Sequence, residues 1–456
     1  MRRNEAQWAQ WLSDGRTMVV LVDHEGEAAA YRRWIAEQQR EVAYLELVRV
    51  LPKAQWLVEL WDSSFPGRQV LRPVQLLVLA EQCVENSKLL ANTVIGVQGI
   101  AQRFVEAFEL AERYGLEGCT EYAATGEQQA FSLWQQQLRT LLAEQHLLSA
   151  GQLAAALLQS LQAGELELPD RLALSHSLEL SPPERLLLSA LAEQGLEQQV
   201  LPAFENAGDV HTEQYCAADF ESEVQGAAVW AAARLNDNAS SESLPQIALI
   251  APDIRPYEEA LRRALERELY PCTLFPAEAP NQQLAEPWRI GSGRLASYPV
   301  VATALDILLM SGAEVELELL SRVLRSPFVA DASMQQGDRA RLDLLLRENL
   351  PNRSSISRVL REAQYAGCEN AAAFLAELQR QIAGNPSRAL PSDWVQRFDR
   401  ELLAIGWPNR EAGDPVLDQC RQGFSQVMDT LRALDRQLGK INRGTALRWL
   451  QHVLQG

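Results

Sequence analysis

The sequence contains no run of about twenty apolar residues, which is the length that a membrane-spanning helix needs. The segment from Met1 to Ser13 is polar and lacks the apolar centre of a secretion signal. The 456 residues include only 6 cysteines, all far apart, so neither a disulfide framework nor a zinc site with closely spaced ligands is expected. These absences predict a cytoplasmic protein without a membrane segment, whose cysteines are buried free thiols.

Positive charge is also scarce, because 42 lysines and arginines stand against 60 aspartates and glutamates and leave a net charge of −18. A protein whose whole surface binds nucleic acid usually carries the opposite sign. Any DNA contact must therefore come from a local basic patch or from another chain. The densest basic stretch contains eight arginines: Arg322, Arg325, Arg339, Arg341, Arg347, Arg353, Arg358 and Arg361. The first four of them are the candidate contacts to a DNA backbone. The alternative is a solvated helix surface, balanced by Asp338, Asp343 and Glu348.

Residue patterns typical of catalysis are missing as well. The five histidines lie far apart and form no His-x-x-x-His pair, so no metal is expected. Ser175 and Ser177 flank His176, but no Gly-x-Ser-x-Gly turn accompanies them and no third group is placed. The sequence shows no catalytic site and predicts no cofactor. A cryptic enzyme, with a site that these patterns do not reveal, is the weakest of the interpretations left open.

The patterns that are present predict an α/β protein. The apolar, β-branched segment Thr17–Val22 is typical of a strand buried in a parallel sheet, and a helix over Glu25–Arg40 and a strand over Ala43–Val48 follow it. This β-α-β order indicates a doubly wound sheet. Two further strands are predicted at Arg171–Ser175 and Gln198–Pro202, with a helix that starts at Ser181-Pro182-Pro183 between them.

Two long stretches have helical spacing of their apolar residues instead. The first covers residues 52–163 and includes helices over Pro73–Glu85, Thr93–Tyr114, Glu127–Glu144 and Ser149–Leu161. The second begins near Tyr298 and continues to the end of the sequence, as if the chain stopped within its architecture. Tryptophans at apolar helix positions are expected to be core anchors: Trp56, Trp61, Trp134 and Trp230.

Between these stretches, a second α/β unit is predicted from a helix over Phe220–Leu235, a strand over Gln246–Ile250 and a helix over Pro256–Glu268. We therefore expect four domains. Residues 1–51 and 164–207 form a first RecA-like domain with a helical insertion over 52–163. Residues 208–297 form part of a second RecA-like domain, and residues 298–456 form a second helical insertion.

This layout resembles the superfamily-I helicases of the UvrD/RecB/AddB group. RLALSHSLELSP (171–182) resembles the acidic strand of that group's nucleotide site, and FESEVQGAAVWAAARL (220–235) with PQIALIAP (245–252) resembles the start of its second RecA-like domain. Three further segments resemble AddB-family proteins, described as DNA-repair or inactivated superfamily-I helicases: GRLASYPVVATALDIL (293–308), LLSRVLRSPF (319–328) and RARLDLLLR (339–347). The resemblance implies two RecA-like parallel-sheet units, each with a large helical insertion.

The departures from an active member predict a degenerate nucleotide site. Asp23, His24 and Glu25 stand where a glycine-rich loop ending in Gly-Lys-Ser/Thr would cradle phosphates. Leu178-Glu179 replaces the Asp-Glu pair that would hold magnesium. Ala251 follows the predicted second-unit strand where arginine would meet the γ-phosphate. ATPase and helicase activity are therefore not expected.

The resemblance implies a scaffold that positions DNA for a nuclease or a partner helicase in recombination and repair. The partners implied are DNA, as a single strand or a duplex end, and a helicase or nuclease subunit. Any nuclease of this protein is expected to lie beyond Gly456. The alternative is a structural or protein-interaction module without direct DNA contact, which the acidic composition equally allows.

Overall fold

The computed structural model describes residues 16–38, 48–64, 67–87, 96–116, 125–164, 166–201, 212–237, 247–270, 288, 290, 294–310, 314–330, 335–408 and 415–455. The chain divides into two compact units, Met1–Gly208 with Arg436–Leu438 and Asp209–Asp435 with Gly439–Gly456. No helix within the described ranges combines the length and the apolar character that crossing a bilayer requires.

The first unit alternates strands and helices. In chain order its elements are β1 (Met18–Val22), α1 (Glu25–Gln38), β2 (Val48–Pro52), α2 (Lys53–Ser63), β3 (Gln69–Val70), α3 (Pro73–Asn86), α4 (Val97–Tyr114), α5 (Gly126–Glu144), β4 (Leu147–Leu148), α6 (Leu153–Ala163), β5 (Arg171–Leu174), α7 (Pro182–Glu193) and β6 (Glu197–Val200).

Four of these strands form one parallel sheet in the order β2-β1-β5-β6. All five residues of β1 are buried, as its unbroken apolar run predicts. The sheet confirms the prediction of an α/β fold. The strand predicted over 43–48 differs from the observed one, because β2 starts only at Val48 and continues to Pro52, while residues 43–47 lie outside the described ranges.

Helices cover both faces of the sheet. On one face, α1 packs Ala28, Tyr31 and Ile35 against Val20 and its neighbours. On the other face, α2, α6 and α7 bury a larger cluster around Leu21, which includes Trp56, Leu157, Leu172 and Leu191. Alternate residues of each strand point to opposite faces, so both faces of β1 are apolar. Helices α2 and α6 fall inside the predicted insertion 52–163, yet they pack directly on the sheet.

The middle of that segment is helical, as predicted. Helix α4 packs against α3 and against the turn that precedes α6, and it ends at Gly115, which adopts a left-handed conformation. The two-residue strands β3 and β4 pair in parallel beside these helices. The sequence analysis did not predict them, since two residues are too few to show an alternating pattern.

The second unit is helical in its described residues, apart from one short pair of antiparallel strands. Its elements are α8 (Phe220–Asp237), α9 (Glu258–Leu269), α10 (Pro299–Leu309), β7 (Glu314–Glu316), α11 (Leu317–Arg325), α12 (Gln336–Asn349), β8 (Arg353–Ser355), α13 (Ile356–Tyr365), α14 (Glu369–Ala383), α15 (Pro391–Ala404), α16 (Pro415–Arg432), α17 (Asp435–Leu438, mostly grouped with the first unit) and α18 (Arg443–Gln455).

The strand predicted over 246–250 is wrong for its described part, because residues 247–250 form no strand. Ile247 and Leu249 pack instead on the helix pair α8–α9, while Ile250 is 93% exposed. The apolar run thus covers two helices and does not enter a sheet. The described residues between 212 and 297 contain no strand, so the second parallel sheet of the resemblance is not seen there.

The remaining helices of the second unit enclose a core of aromatic side chains. Helix α10 packs against α15, α16 and α18, and the largest fully buried residues there are Trp394, Phe398 and Trp449. The indole of Trp394 donates a hydrogen bond to the carbonyl of Ile441 at 2.9 Å, which satisfies its one polar atom within the core.

The predicted tryptophan anchors are confirmed at three positions. Trp56, Trp61 and Trp134 are buried, whereas the prediction is wrong for Trp230, which is 45% exposed beside Arg234. It faces away from α9, because Val224, Ala228 and Ala231 form the apolar stripe of α8.

Among the cysteines, the described ones are buried except one. Cys83, Cys368 and Cys420 are buried and Cys216 is exposed, while Cys119 and Cys272 lie outside the described residues. Burial raises the pKa of the Cys83 thiol to about 11, so this thiol stays protonated and unreactive at neutral pH.

Candidate functional site

The order of the strands creates a switch point at the carboxyl edge of the first unit's sheet. The chain leaves β1 towards β2 on one side, then crosses over to β5 on the other side of β1. In open parallel sheets, ligands bind in the crevice outside such a point, where neighbouring loops diverge. The loops after β1 and β5 begin at Asp23 and Ser175. With Glu25, the first residue of α1, they contain five of the six residues predicted to form a degenerate nucleotide site.

The amino terminus of α1 is capped by side chains of its own first turn. Glu27 accepts a hydrogen bond from the backbone N–H of Asp23 at 3.0 Å, and His24 Nδ1 accepts one from the backbone N–H of Glu27 at 3.1 Å. Free backbone N–H groups at a helix start are the groups that bind phosphate. Here the N–H of Glu27, in the first turn of α1, is bonded to His24, and the N–H of Asp23, in the loop just before α1, is bonded to a carboxylate.

Side chains from the loop after β5 complete this cap. The Ser177 hydroxyl donates to Glu27 Oε1 at 2.6 Å and lies 3.2 Å from the Ser175 hydroxyl. The backbone N–H of Glu179 donates to Asp23 Oδ2 at 3.1 Å. These bonds hold the two loops together, and they bring Asp23 beside the backbone of Glu179, two residues that the sequence analysis assigned to the same degenerate site.

Lys53 is a member of the site that the sequence analysis missed. It is the first residue of α2, directly after β2, so it lies at the same carboxyl edge as the other two loops. Its ammonium group lies 3.0 Å from Glu184 and 4.0 Å from Asp23, and it donates to the carbonyl of Glu179. The predicted strand ends at Val48, five residues before Lys53, so only the observed end of β2 at Pro52 places this lysine at the carboxyl edge.

The carboxylate of Glu27 is held ionised by its surroundings. Burial alone would raise its pKa, but hydrogen bonds from Ser177, the backbone of Asp23 and Ser175, together with the charge of His24, outweigh burial and lower the pKa. Burial and the nearby charge of Glu27 raise the pKa of Tyr31 on the next turn of α1. The site therefore contains a carboxylate, Glu27, that stays negatively charged. The positive charge of Lys53 lies on one side of the site.

The other predicted residues of this site are peripheral. Glu25 points outward and pairs with Arg32, and Leu178 packs at the margin of the core cluster around Leu21. Ala251 belongs to the second unit, in a segment without regular secondary structure. Within the described residues, no group of three or more histidine, cysteine, aspartate or glutamate side chains is arranged to hold a metal ion.

The structure separates the four candidate DNA-contacting arginines into different environments. Arg339 is 3% exposed, and its guanidinium donates to the carbonyl of Ala330 at 2.6 Å, so this side chain serves the core of the second unit and is not available to a DNA backbone. Arg341, two residues further along α12, is exposed. Arg322 and Arg325 are also exposed, but both are paired with acids.

These two arginines are paired with different acids. Arg322 binds both oxygens of Asp306, at 2.8 and 2.9 Å. Arg325 lies 3.8 Å from Asp343, which also pairs with Arg347. The ion pairs agree with the alternative interpretation of this stretch as a charge-balanced helix surface, in which Asp343 was named as a balancing residue.

Glu27 gives a testable consequence for the stability of the first unit. Because its pKa is lowered by folding, ionised Glu27 contributes fully to the free energy of unfolding at a pH above the pKa of an unfolded glutamate. This contribution is lost as the pH falls through the lower pKa of Glu27 in the folded protein. Glu27→Gln is expected to cost about 1 kcal/mol at pH 7, since hydrogen bonds to a charged group are involved. The difference from wild type should shrink as the pH is lowered below about 4.

Urea unfolding of the full chain at several pH values measures this difference. Glu25→Gln is the matched control, because Glu25 is two residues away in an exposed ion pair and should change stability by no more than about 0.5 kcal/mol. An equal effect of both substitutions at pH 7, or a Glu27→Gln effect that grows in acid, would contradict the described cap.

The fold and this site together define a class of protein. It is a parallel α/β unit in which carboxylates of the protein itself bind the backbone N–H groups at the switch point. Neither protein-family models nor the curated proteins include a match to this sequence.

Proposed function

We propose that the chain is an ATPase-inactive, helicase-like scaffold of a bacterial DNA-repair exonuclease of the AddB/RecC type, which positions DNA for a nuclease or a partner helicase. The observation that carries the proposal is the bond from the backbone N–H of Asp23 to Glu27 at 3.0 Å. It places a carboxylate of the protein at the helix start where a nucleotide-binding unit would hold phosphate.

The energetics of this arrangement oppose nucleotide binding. A phosphate oxygen that approached the start of α1 would meet the carboxylates of Glu27 and Asp23. A like-charge pair at about 4 Å costs about 1 kcal/mol in water and several times more in a drier site. Lys53 does not reverse this balance, because Glu184 and Asp23 already surround its ammonium group. A RecA-like unit that keeps its sheet without this chemistry is suited to a scaffold and not to a motor.

The acidic surface supports a second candidate, a protein-interaction module without DNA contact. Its support is the net charge of −18 together with the pairing of Arg322 and Arg325 to Asp306 and Asp343. Both candidates share the inactive switch point, so they differ only in whether the chain binds DNA.

One experiment tests the proposal, the binding of a fluorescent tailed duplex at several salt concentrations, with and without magnesium and ATP. A DNA scaffold is expected to lose affinity steeply between about 50 and 200 mM salt. The affinity should be the same with and without nucleotide, and no ATP should be hydrolysed. Arg341→Glu should weaken binding, because this exposed side chain forms no ion pair with a described residue.

Arg400→Glu is the matched control, since Arg400 is also exposed but lies on α15, outside the basic stretch. Absence of binding at any salt concentration would favour the interaction module. ATP hydrolysis, or a nucleotide effect on affinity that Glu27→Gln enhances, would contradict the inactive site.

A further inference from the structure

The last residue of α13 presents an aromatic ring to solvent. Tyr365 is 94% exposed, although the opposite face of its helix is anchored by the buried residues Ile356, Val359 and Ala363. The helix therefore holds the ring outward on a fixed backbone. A tyrosine in this position offers both faces of its ring to a ligand.

Two arginines share the outward face of α13. Arg358, Arg361 and Tyr365 follow one another at spacings of three and four residues, which places all three within about 60° of each other around a helix of about 3.6 residues per turn. Both arginines are exposed, and neither forms an ion pair with a described residue. Glu362 lies at the margin of this face and is partly buried, so the face as a whole is positive.

These two arginines differ from four others of the basic stretch, which are paired with acids. Arg322 is paired with Asp306, Arg325 and Arg347 with Asp343, and Arg353 with Glu316. A cation already bound to a carboxylate gains less from a phosphate than a solvated one, because the first partner must be given up. The positive charge that is available to a ligand thus lies on α13, with two such arginines, and at Arg341 of α12.

We propose that the outward face of α13, formed by Arg358, Arg361 and Tyr365, binds single-stranded DNA. A base stacks on the ring of Tyr365, and the two guanidinium groups contact the adjoining phosphates. Aromatic rings bordered by cations are the general means of holding single strands without sequence preference. A duplex keeps its bases stacked inside and does not offer them to the ring. This inference rests on the proposed DNA-scaffold function and names the surface that contacts the strand.

The composition of the face favours a nucleic acid over a protein partner. The remaining outward residues of α13 are Ser357 and Gln364, both polar and exposed, so Tyr365 is not surrounded by an apolar patch. Protein interfaces centre on a well-packed apolar and aromatic core that excludes water, and one ring among polar side chains does not provide such a core. A single ring between cations matches a base and its phosphates better than it matches a protein partner.

Fluorescence anisotropy of the full chain with a labelled oligothymidylate of about 20 nucleotides tests the proposal. Tyr365→Ala should weaken binding about tenfold at constant salt, because one stacked base is lost. Tyr365→Phe keeps the ring and should retain the wild-type affinity. The double substitution Arg358→Gln and Arg361→Gln should reduce the slope of log affinity against log salt by about 1.4, at about 0.7 for each lost phosphate contact.

Arg322→Gln is the matched control for charge, since Asp306 already neutralises Arg322, and its slope should equal that of wild type. Circular dichroism checks that each variant is folded. If wild type binds no oligonucleotide at low salt, both this inference and the DNA-scaffold function fail, and the face then serves a protein. If wild type binds but Tyr365→Ala and the arginine variant do not differ from it, only this inference fails.

Discussion

Glu401→Ala is expected to destabilise the second unit by about 3–5 kcal/mol, because it leaves the guanidinium of Arg443, whose side chain is only 13% exposed, without its counter-charge. Glu401 is 1% exposed, and both of its carboxylate oxygens accept hydrogen bonds from Arg443 at 2.6 Å. The same guanidinium donates to the carbonyl of Leu308 at 2.9 Å and lies over the ring of Phe398. The pair thereby joins α18 to α15 and α10.

Urea unfolding followed by tryptophan fluorescence measures this loss, since Trp394 and Trp449 lie in the same core. The control is Glu318→Ala, which breaks an exposed pair with Arg322 and should cost about 0.5 kcal/mol or less. A double variant, Glu401→Leu with Arg443→Met, should be more stable than Glu401→Ala, because no unpaired charge remains in the core. A cost for Glu401→Ala no greater than that for Glu318→Ala would contradict the buried pair.

Gly406→Ala is expected to cost about 2–4 kcal/mol, from two separate causes. Gly406 has a φ of +70°, which is unfavourable for any residue with a Cβ atom. A Cβ atom at this position would also lie 2.4 Å from the Cβ of Ala330 and 3.2 Å from its backbone nitrogen. Ala330 cannot easily retreat, because its N–H donates to the carbonyl of Ile405 at 3.0 Å.

Gly367→Ala separates these causes, since Gly367 has a φ of +69° but no described atom within 4 Å of the position that a Cβ atom would take. The control should therefore cost only the backbone strain, about 1 kcal/mol. Thermal or urea unfolding of both variants gives the comparison. Equal losses at the two glycines would show that Ala330 does not crowd position 406.

The parts of the fold that were predictable have strong local signals. The apolar run of β1 and the Pro182-Pro183 helix start of α7 fix their own structure, and both were predicted within a residue or two. The run over 246–250 has a similar composition, but whether it joins a sheet depends on the presence of a neighbouring strand. In the described residues it packs on α8 and α9, a choice that only tertiary contacts decide.

The candidate site was predictable in its location and not in its bonds. Parallel neighbouring strands bring Asp23 and Glu179 to one edge, but the bond from Ser177 to Glu27 depends on the order of strands in the sheet. Arg339 carried a signal that was overlooked. Leu342 and Asp343 follow Arg339 at spacings of three and four residues, and Leu346 follows at seven. These four residues are buried and form the inward face of α12.

The carboxylate cap at the start of α1 bears on how the protein moves. A small molecule shifts a conformational equilibrium only when it binds one state more tightly than the other. Under the proposed function, ATP and ADP do not favour either state of the loops after β1 and β5, because Glu27 is bonded to the backbone of Asp23 and to Ser177. On the same proposal, a change of shape in this unit would be driven from outside it, by the DNA or the partner subunit of the proposed scaffold.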